Sequence, residues 1–270
     1  MPSINFPEFP DYPLVVEGNE AEIDKLWGAA TKLGFRYLKS RGPDDLLEGM
    51  FQMARETMLR REATGANAVD ATGQPDTVEL VNVAKDDALA WPKKARHAYP
   101  STVNPWNSNI PSFRYSTKRH LVDEYSGSET HVIKNPPSPQ EPPKVAIGAH
   151  TDFGSLSFLH NRLGGLQVLV PDSEDWQYIK PLPGHAICNI GDALALFSGG
   201  ILRSNLHRVV PPPGWQAQFD RWSLVYLTRP GNSWFTRRVK NFRMKNRTVS
   251  PFIYGGITCK LRHDRARKPG

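Results

Sequence analysis

Apolar positions recur along this chain at two different periods. In AEIDKLWGAATKLG, residues 21–34, Ile23, Leu26, Trp27, Ala30 and Leu33 return every three or four positions, the period of a helix. Asn19 can cap its start and Gly34 can end it. FRYL, residues 35–38, reads as a short strand. A second helix is expected from about Asp44 to Arg61, with Leu46, Leu47, Met50, Phe51, Ala54 and Met58 on its apolar side. Residues 62–76 are rich in Ala, Gly, Asp and Thr and read as loop. Residues 92–132 show no sustained period and predict no element. NPPSPQEPPK, residues 135–144, carries five prolines and reads as an extended connector.

Beyond the connector the apolar runs become short and strand-like. They are KVAIGAH, SLSFLH, GLQVLV, WQYIK, HAICNI, ALALF, HRVV and RWSLVYL. Turn residues separate them, among them Gly164-Gly165, Pro171-Asp172, Pro183-Gly184, Gly191-Asp192 and Gly199-Gly200. Eight short strands with this punctuation predict an all-β barrel or jelly roll. The expected organisation is a mixed, partly helical region over residues 1–134 that packs on a β core over 135–230. A tail over 231–270 follows, which WFTRRVKNFRMKN can open as a helix.

The chain has 270 residues, 39% of them apolar, so a sizeable core can form. No apolar run reaches the roughly 18 residues that span a membrane, and MPSINFPEFPDYP lacks the pattern of a signal peptide. The two cysteines, Cys188 and Cys259, make no disulfide framework, so a reducing, cytoplasmic compartment is expected and the sequon at Asn246 is idle. The formal net charge of +7 at first suggests nucleic acid. Its distribution argues against that: residues 231–270 carry +10, with Asp264 their only acid, and the first 230 residues carry −3. The basicity belongs to a tail, a pattern more typical of a solvated segment than of a binding surface.

The candidate chemistry sits in IGAHTDFGSLSFL, residues 147–159. His150 and Asp152 are two apart on an extended segment and face the same side. They read either as a hydrogen-bonded pair at a strand end or as two ligands of one metal ion. Most other histidines sit in irregular, polar surroundings, and His185 reads as a turn histidine. His207 differs, because it opens HRVV after a long turn and so falls at a strand start. Two imidazoles and one carboxylate make the facial triad of non-haem Fe(II) oxygenases, which leaves coordination positions open for a co-substrate and an oxidant. Fourteen residues on, Arg221 and Ser223 in RWSLVYL share a strand face and can hold a carboxylate by charge-assisted hydrogen bonds. A zinc hydrolase on the same ligands is the weaker reading, since no glutamate beside either histidine offers a base and Arg221 with Ser223 would go unused.

HTDFGSLSFL, GGLQVLV, PLPGHAICNIGDALALFSGG, LRSNLHRVV and RWSLVYLTRP together closely resemble the isopenicillin-N-synthase-like 2-oxoglutarate and Fe(II)-dependent oxygenases, in a fungal flavour. The resemblance is strong over roughly residues 133–230 and weaker over 4–60. It implies a double-stranded β-helix, mainly β with flanking helices. It implies iron ligation by His150, Asp152 and His207, and binding of the distal carboxylate of 2-oxoglutarate by Arg221 and Ser223. The implied cofactors are Fe(II), 2-oxoglutarate and O₂, with ascorbate an optional accessory. The implied reaction is hydroxylation, desaturation or ring closure of a small metabolite in secondary metabolism. The expected partner is that substrate alone, with no nucleic acid or membrane, and the expected state is a monomer.

Three departures leave alternatives open. Asn135 stands where many relatives carry a tyrosine, and it takes no role from the resemblance. The stretches before Pro136 and between Arg229 and Trp234 look short, and PFIYGGITCKLRHDRARKPG matches nothing expected. A shortened, catalytically impaired member is therefore one alternative. An iron oxidase that uses no 2-oxoglutarate, its Arg-x-Ser pair gripping a substrate carboxylate, is the other. Trp176, Trp222, Phe158 and Phe197 can line a substrate pocket but read more simply as core.

Overall fold

The structure, a computed structural model, describes residues 12–39, 44–59, 64–65, 78–90, 124–138 and 145–231. The tail helix expected in 234–246 and most of the stretch 92–132 lie outside the described residues. After a short helix α1 (Tyr12–Val16), helix α2 (Glu20–Gly28) starts where expected, with the Asn19 side chain accepting the Glu22 N–H at 3.2 Å. It widens into a π turn at Ala29–Leu33, closed by the Gly34 N–H on Ala29 O, and stops at Gly34, whose φ is 76°. A side chain at Gly34 would also strike the Arg203 carbonyl oxygen, so only glycine serves there. The stripe that predicts this helix reaches the core at its end, where Leu33 packs against the inner cluster, while Ile23 and Trp27 are exposed.

Strand β1 (Phe35–Lys39) and helix α3 (Asp44–Leu59) follow as expected. A two-residue strand β2 (Thr64–Gly65) falls in the predicted loop. Strands β3 (Glu79–Ala84) and β4 (Glu129–Asn135), with helix α4 (Lys85–Ala90) after β3, have no counterpart in the sequence reading. The β-rich part supplies β5 (Ile147–His150), β6 (Leu156–Asn161), β7 (Leu166–Leu169), β8 (Trp176–Tyr178), β9 (His185–Ile190), β10 (His207–Val209) and β11 (Arg221–Thr228). One of the eight expected strands is corrected: ALALF belongs to helix α5 (Asp192–Phe197). Its Ala-Leu alternation imitates a strand, but Ala and Leu are strong helix formers, and no β-branched residue opposes them.

Every strand pairing is antiparallel, in a seven-stranded sheet of order β1-β9-β6-β11-β4-β3-β2 and a four-stranded sheet of order β5-β10-β7-β8. The large sheet draws strands from both sides of the proline connector. Alternation then gives it two apolar faces. Val81, Val83, Val132, Leu224 and Tyr226 face outward and bury Met50, Phe51, Met53 and Ala54 of α3. Phe35, Tyr37 and Ile187 face inward and meet Leu166, Val168 and Val209 of the small sheet. Two antiparallel sheets closed over one apolar layer form the jelly roll, and its interior holds the candidate site. Among the described residues no helix is long and apolar enough to cross a membrane.

Candidate metal centre and anion site

β5 ends at His150 and β10 begins at His207, and the register sets the two directly opposite each other. Opposed residues of an antiparallel pair share a face, so the rings lie side by side, 4.3 Å between centroids. Asp152 follows β5 by two residues. Its Oδ1 is 3.6 Å from His207 Nε2 and 3.9 Å from His150 Nε2. One donor atom from each residue lies within 4.8 Å of the others, compact enough for one ion to bridge all three.

The surroundings aim these donors. His150 Nδ1 lies 2.8 Å from the Gly148 carbonyl oxygen and His207 Nδ1 lies 3.2 Å from that of Asn205. A carbonyl accepts only from N–H, so each ring carries its proton on Nδ1 and presents the Nε2 lone pair. Burial pushes the His207 imidazole down to about 4, helped by His150 and opposed by Asp152 and the Asn205 carbonyl, so the ring is neutral at pH 7. Burial alone would raise the Asp152 carboxyl. The two imidazoles and hydrogen bonds from Ser157 and Asn189 outweigh it and hold the carboxyl below its ordinary value. Both bonds go to Oδ2, from Ser157 Oγ and from Asn189 Nδ2 at 2.7 Å, which leaves Oδ1 toward the histidines.

α5 fixes the loop that carries Asp152. The Gly191 N–H donates to Ser155 O, Asp192 N–H to Asp152 O at 2.7 Å, and Ala193 N–H to Gly154 O at 3.1 Å. The helix start thus satisfies its free N–H groups with the loop's carbonyls. Gly191 is obligatory, because an added Cβ would strike Gly154 O and sit 2.8 Å from Asp152 O.

The same jelly roll holds Arg221, a fully buried side chain at 2% exposure. Nε donates to Gly164 O and Nη1 to Ser223 Oγ, each at 2.6 Å. Nη2 has no partner among the described residues. Burial lowers this guanidinium to about 10, so it stays charged at neutral pH. A buried cation with a free N–H fork needs an anion. Gly165 makes room for it: φ is 102°, and a Cβ there would sit 3.2 Å from Arg221 Nε. The donor set therefore fits a ferrous ion, and the Arg221–Ser223 pair fits the carboxylate of a co-substrate.

All five residues named from sequence fall inside the jelly roll, His150, Asp152 and His207 in one cluster and Arg221 with Ser223 in another. His185 stays apart, its Nδ1 2.8 Å from Pro183 O. Phe158 and Trp222 pack against the outer core, and Trp176 lies under Arg208 at 4.2 Å. Ser157 and Asn189 are the residues that sequence reading missed. Their signal is a polar residue two positions from an inward apolar one, Leu159 on β6 and Ile187 on β9.

Comparison with known proteins agrees with this geometry. Residues 119–230 match the 2OG-Fe(II) oxygenase superfamily. A 2-oxoglutarate-dependent dioxygenase of Gibberella zeae is 35% identical over 308 aligned positions, covering 90% of each chain. That alignment is longer than this chain, so the relative carries residues where this chain is short. The 2-oxoglutarate-dependent dioxygenase frbH of a Dothideomycetidae species is 29% identical over 83% of this chain and 81% of its own. A 2OG-Fe(II) oxygenase family protein of Caulobacter crescentus superposes with a TM-score of 0.66 at 18% identity, over 85% of this chain and 97% of that one. The chain belongs to the 2-oxoglutarate and Fe(II)-dependent oxygenases. It is a non-haem dioxygenase of fungal type that uses Fe(II), 2-oxoglutarate and O₂ to oxidise a small metabolite.

Proposed function

We propose that His150, Asp152 and His207 hold the ferrous ion and that Arg221 and Ser223 hold the distal carboxylate of 2-oxoglutarate, for oxidation of a small organic metabolite of fungal secondary metabolism. The observation that carries this reading is the opposed pair His150–His207 with Asp152 Oδ1 between them, in one interior with a buried guanidinium. The chemistry that iron supplies when bound is activation of O₂, coupling decarboxylation of 2-oxoglutarate to succinate and CO₂ with oxidation of the substrate. The chain's own part is positioning. The carbonyls of Gly148 and Asn205 set the histidine tautomers, Ser157 and Asn189 orient the Asp152 carboxylate, and Arg221 fixes the reach of the co-substrate. The buried interior keeps water from competing for these groups.

We read residues 135–230 as the catalytic core and 1–134 as its support, lending β1, β2, β3 and most of β4 to the large sheet and α3 to its outer face. The basic 231–270 stretch is read as a tail. A monomer acting in the cytoplasm on a small molecule, without nucleic acid or membrane, completes the proposal. The fully assembled ligand set favours an active enzyme over an impaired member. The test is anaerobic titration with Fe(II) and then 2-oxoglutarate, followed by succinate formation in air. Asp152→Ala is expected to lose iron binding and 2-oxoglutarate turnover, and Arg221→Ala to keep iron but lose the co-substrate complex. Turnover retained in Asp152→Ala would overturn the ligand set.

A further inference from the structure

The β1–β9 pair is a wall with two different sides. Its register sets Phe35 opposite Asn189 and Arg36 opposite Cys188. Opposed residues share a face, and neighbours along a strand alternate. Phe35 and Asn189 turn to the interior, where Phe35 packs edge-on against His207, 5.4 Å between ring centroids, and Asn189 holds Asp152. Arg36 and Cys188 turn the other way. There, between this wall, the π turn that follows α2 and helix α5, lies a half-open cavity of about 180 Å³. Ala29 and Ala30 of the turn, Leu194 of α5, Leu202 and Cys188 give it an apolar lining.

Atoms around an unfilled apolar volume lose contacts, so a gap of this size costs stability unless something occupies it. Helix α2 has no fully buried residue, and alanines stand where longer apolar side chains would close the gap. About 150 Å³ is enough to take one benzene ring, so the cavity admits a single ring or a short chain. One charge stands in the lining. Arg36 is half-buried there and is the only charged residue of the cavity among the described residues. It forms no ion pair with any of them. Cys188 is no counter-ion, because burial pushes its thiol up to about 12 against the opposing effect of Arg36, and it stays protonated. A half-buried guanidinium set against apolar walls suits an anion that carries its own apolar body.

We propose that this cavity binds a small carboxylic acid, a single ring or a short chain, whose carboxylate pairs with Arg36 while its apolar body lies against Ala29, Ala30, Leu194 and Leu202. The site is separate from the anion site of Arg221 and Ser223, which is carried by β11 and faces the interior. The wall that bounds it carries on its other side the contacts to His207 and Asp152.

The experiment is calorimetric titration of benzoate into the anaerobic protein saturated with Fe(II) and 2-oxoglutarate, so that the Arg221 site is filled. Benzyl alcohol is the neutral comparison, and unfolding temperature is measured for each variant. The wild type is expected to take one benzoate per chain, about tenfold more tightly than benzyl alcohol, the value of a hydrogen bond to a charged group. Arg36→Met keeps the side chain's length without its charge and is expected to abolish that preference. Ala30→Phe is expected to fill the cavity, losing benzoate while keeping or raising the unfolding temperature. Ala29→Leu serves if that variant does not fold. No benzoate bound by the wild type overturns the proposal. Equal affinity for benzoate and benzyl alcohol, or a preference for benzoate that survives in Arg36→Met, overturns the role of Arg36 and with it the acid class. Benzoate binding unchanged in the filled variant, or benzoate that displaces 2-oxoglutarate, places the probe elsewhere and overturns the site.

Discussion

At the scale of single residues, the proposed iron centre depends on groups other than its three candidate ligands. Asp152 could rotate its carboxylate, but Ser157 and Asn189 hold Oδ2, and rotation would break both bonds. Partners of this kind typically contribute ten- to hundredfold to metal affinity. Ser157→Ala is therefore expected to weaken Fe(II) binding by about tenfold while leaving the unfolding temperature within a few degrees. Competition against a metallochromic chelator measures it, and unchanged affinity would show that the carboxylate needs no such guide. The histidines are set by backbone carbonyls two residues away, at Gly148 and Asn205, which no side-chain substitution removes. Cys188 stands apart from this chemistry: burial raises its thiol to about 12, with Arg36 opposing, and it serves as core.

At the scale of elements, the site exists because short segments lock one another. β11 serves both faces of its sheet, with Arg221 and Ser223 in the interior and Leu224 and Tyr226 against α3. Strand alternation alone allows one strand to carry an anion anchor and a core stripe together. α5 plays the corresponding part for Asp152, its first N–H groups tied to the loop carbonyls. The close approach that makes this possible occurs at Gly191. Gly191→Ala is expected to push the loop from the helix, destabilise the protein by about 2–4 kcal/mol and weaken Fe(II) binding together with stability. Chemical denaturation with parallel iron titration tests the coupling; stability lost without any change in iron affinity would show that the loop holds without the helix.

At the scale of the whole molecule, the strands of the large sheet are also tied by charge. Arg229 Nη2 lies 2.6 Å from Glu129 Oε1, His131 Nε2 lies 3.2 Å from the same oxygen, and Asn82 on β3 donates to the other. Burial would raise the Glu129 carboxyl, yet these partners bring it down to about 2. A carboxyl lowered in the folded state stabilises the fold above its unfolded pKa, near 4.5, and loses that contribution as pH falls toward 2. The contribution is about 3 kcal/mol. Urea midpoints are thus expected to be level from pH 7 to about 5 and to fall below it, and Glu129→Gln should flatten that fall. An equally steep acid loss in Glu129→Gln would place the sensitivity elsewhere.

Much of this was legible in the order of residues. α3 and β1 follow from periodicity, because each buries one face against a partner and must repeat at its own pitch. His150, Asp152 and His207 and the Arg-x-Ser pair could be singled out as candidates because ligand chemistry restricts side-chain type and strand geometry restricts spacing. β3 and β4 escaped, since their alternation is short and interrupted by Asn82 and His131, polar residues whose place in the sheet rests on Glu129: Asn82 donates to it across the ladder, and His131 lies beside it on β4. α5 escaped because an Ala-Leu alternation fits two periods, and contact with the Asp152 loop decides between them. By itself the sequence determined which atoms are available as ligands and which faces must be buried, because both follow from side-chain type and local period. Only the tertiary structure decided that His150 faces His207, that Ser157 and Asn189 aim Asp152, and that Arg36 lies across from Cys188. Those are matters of register between strands far apart in the chain, and register is set by the closing of the whole sheet.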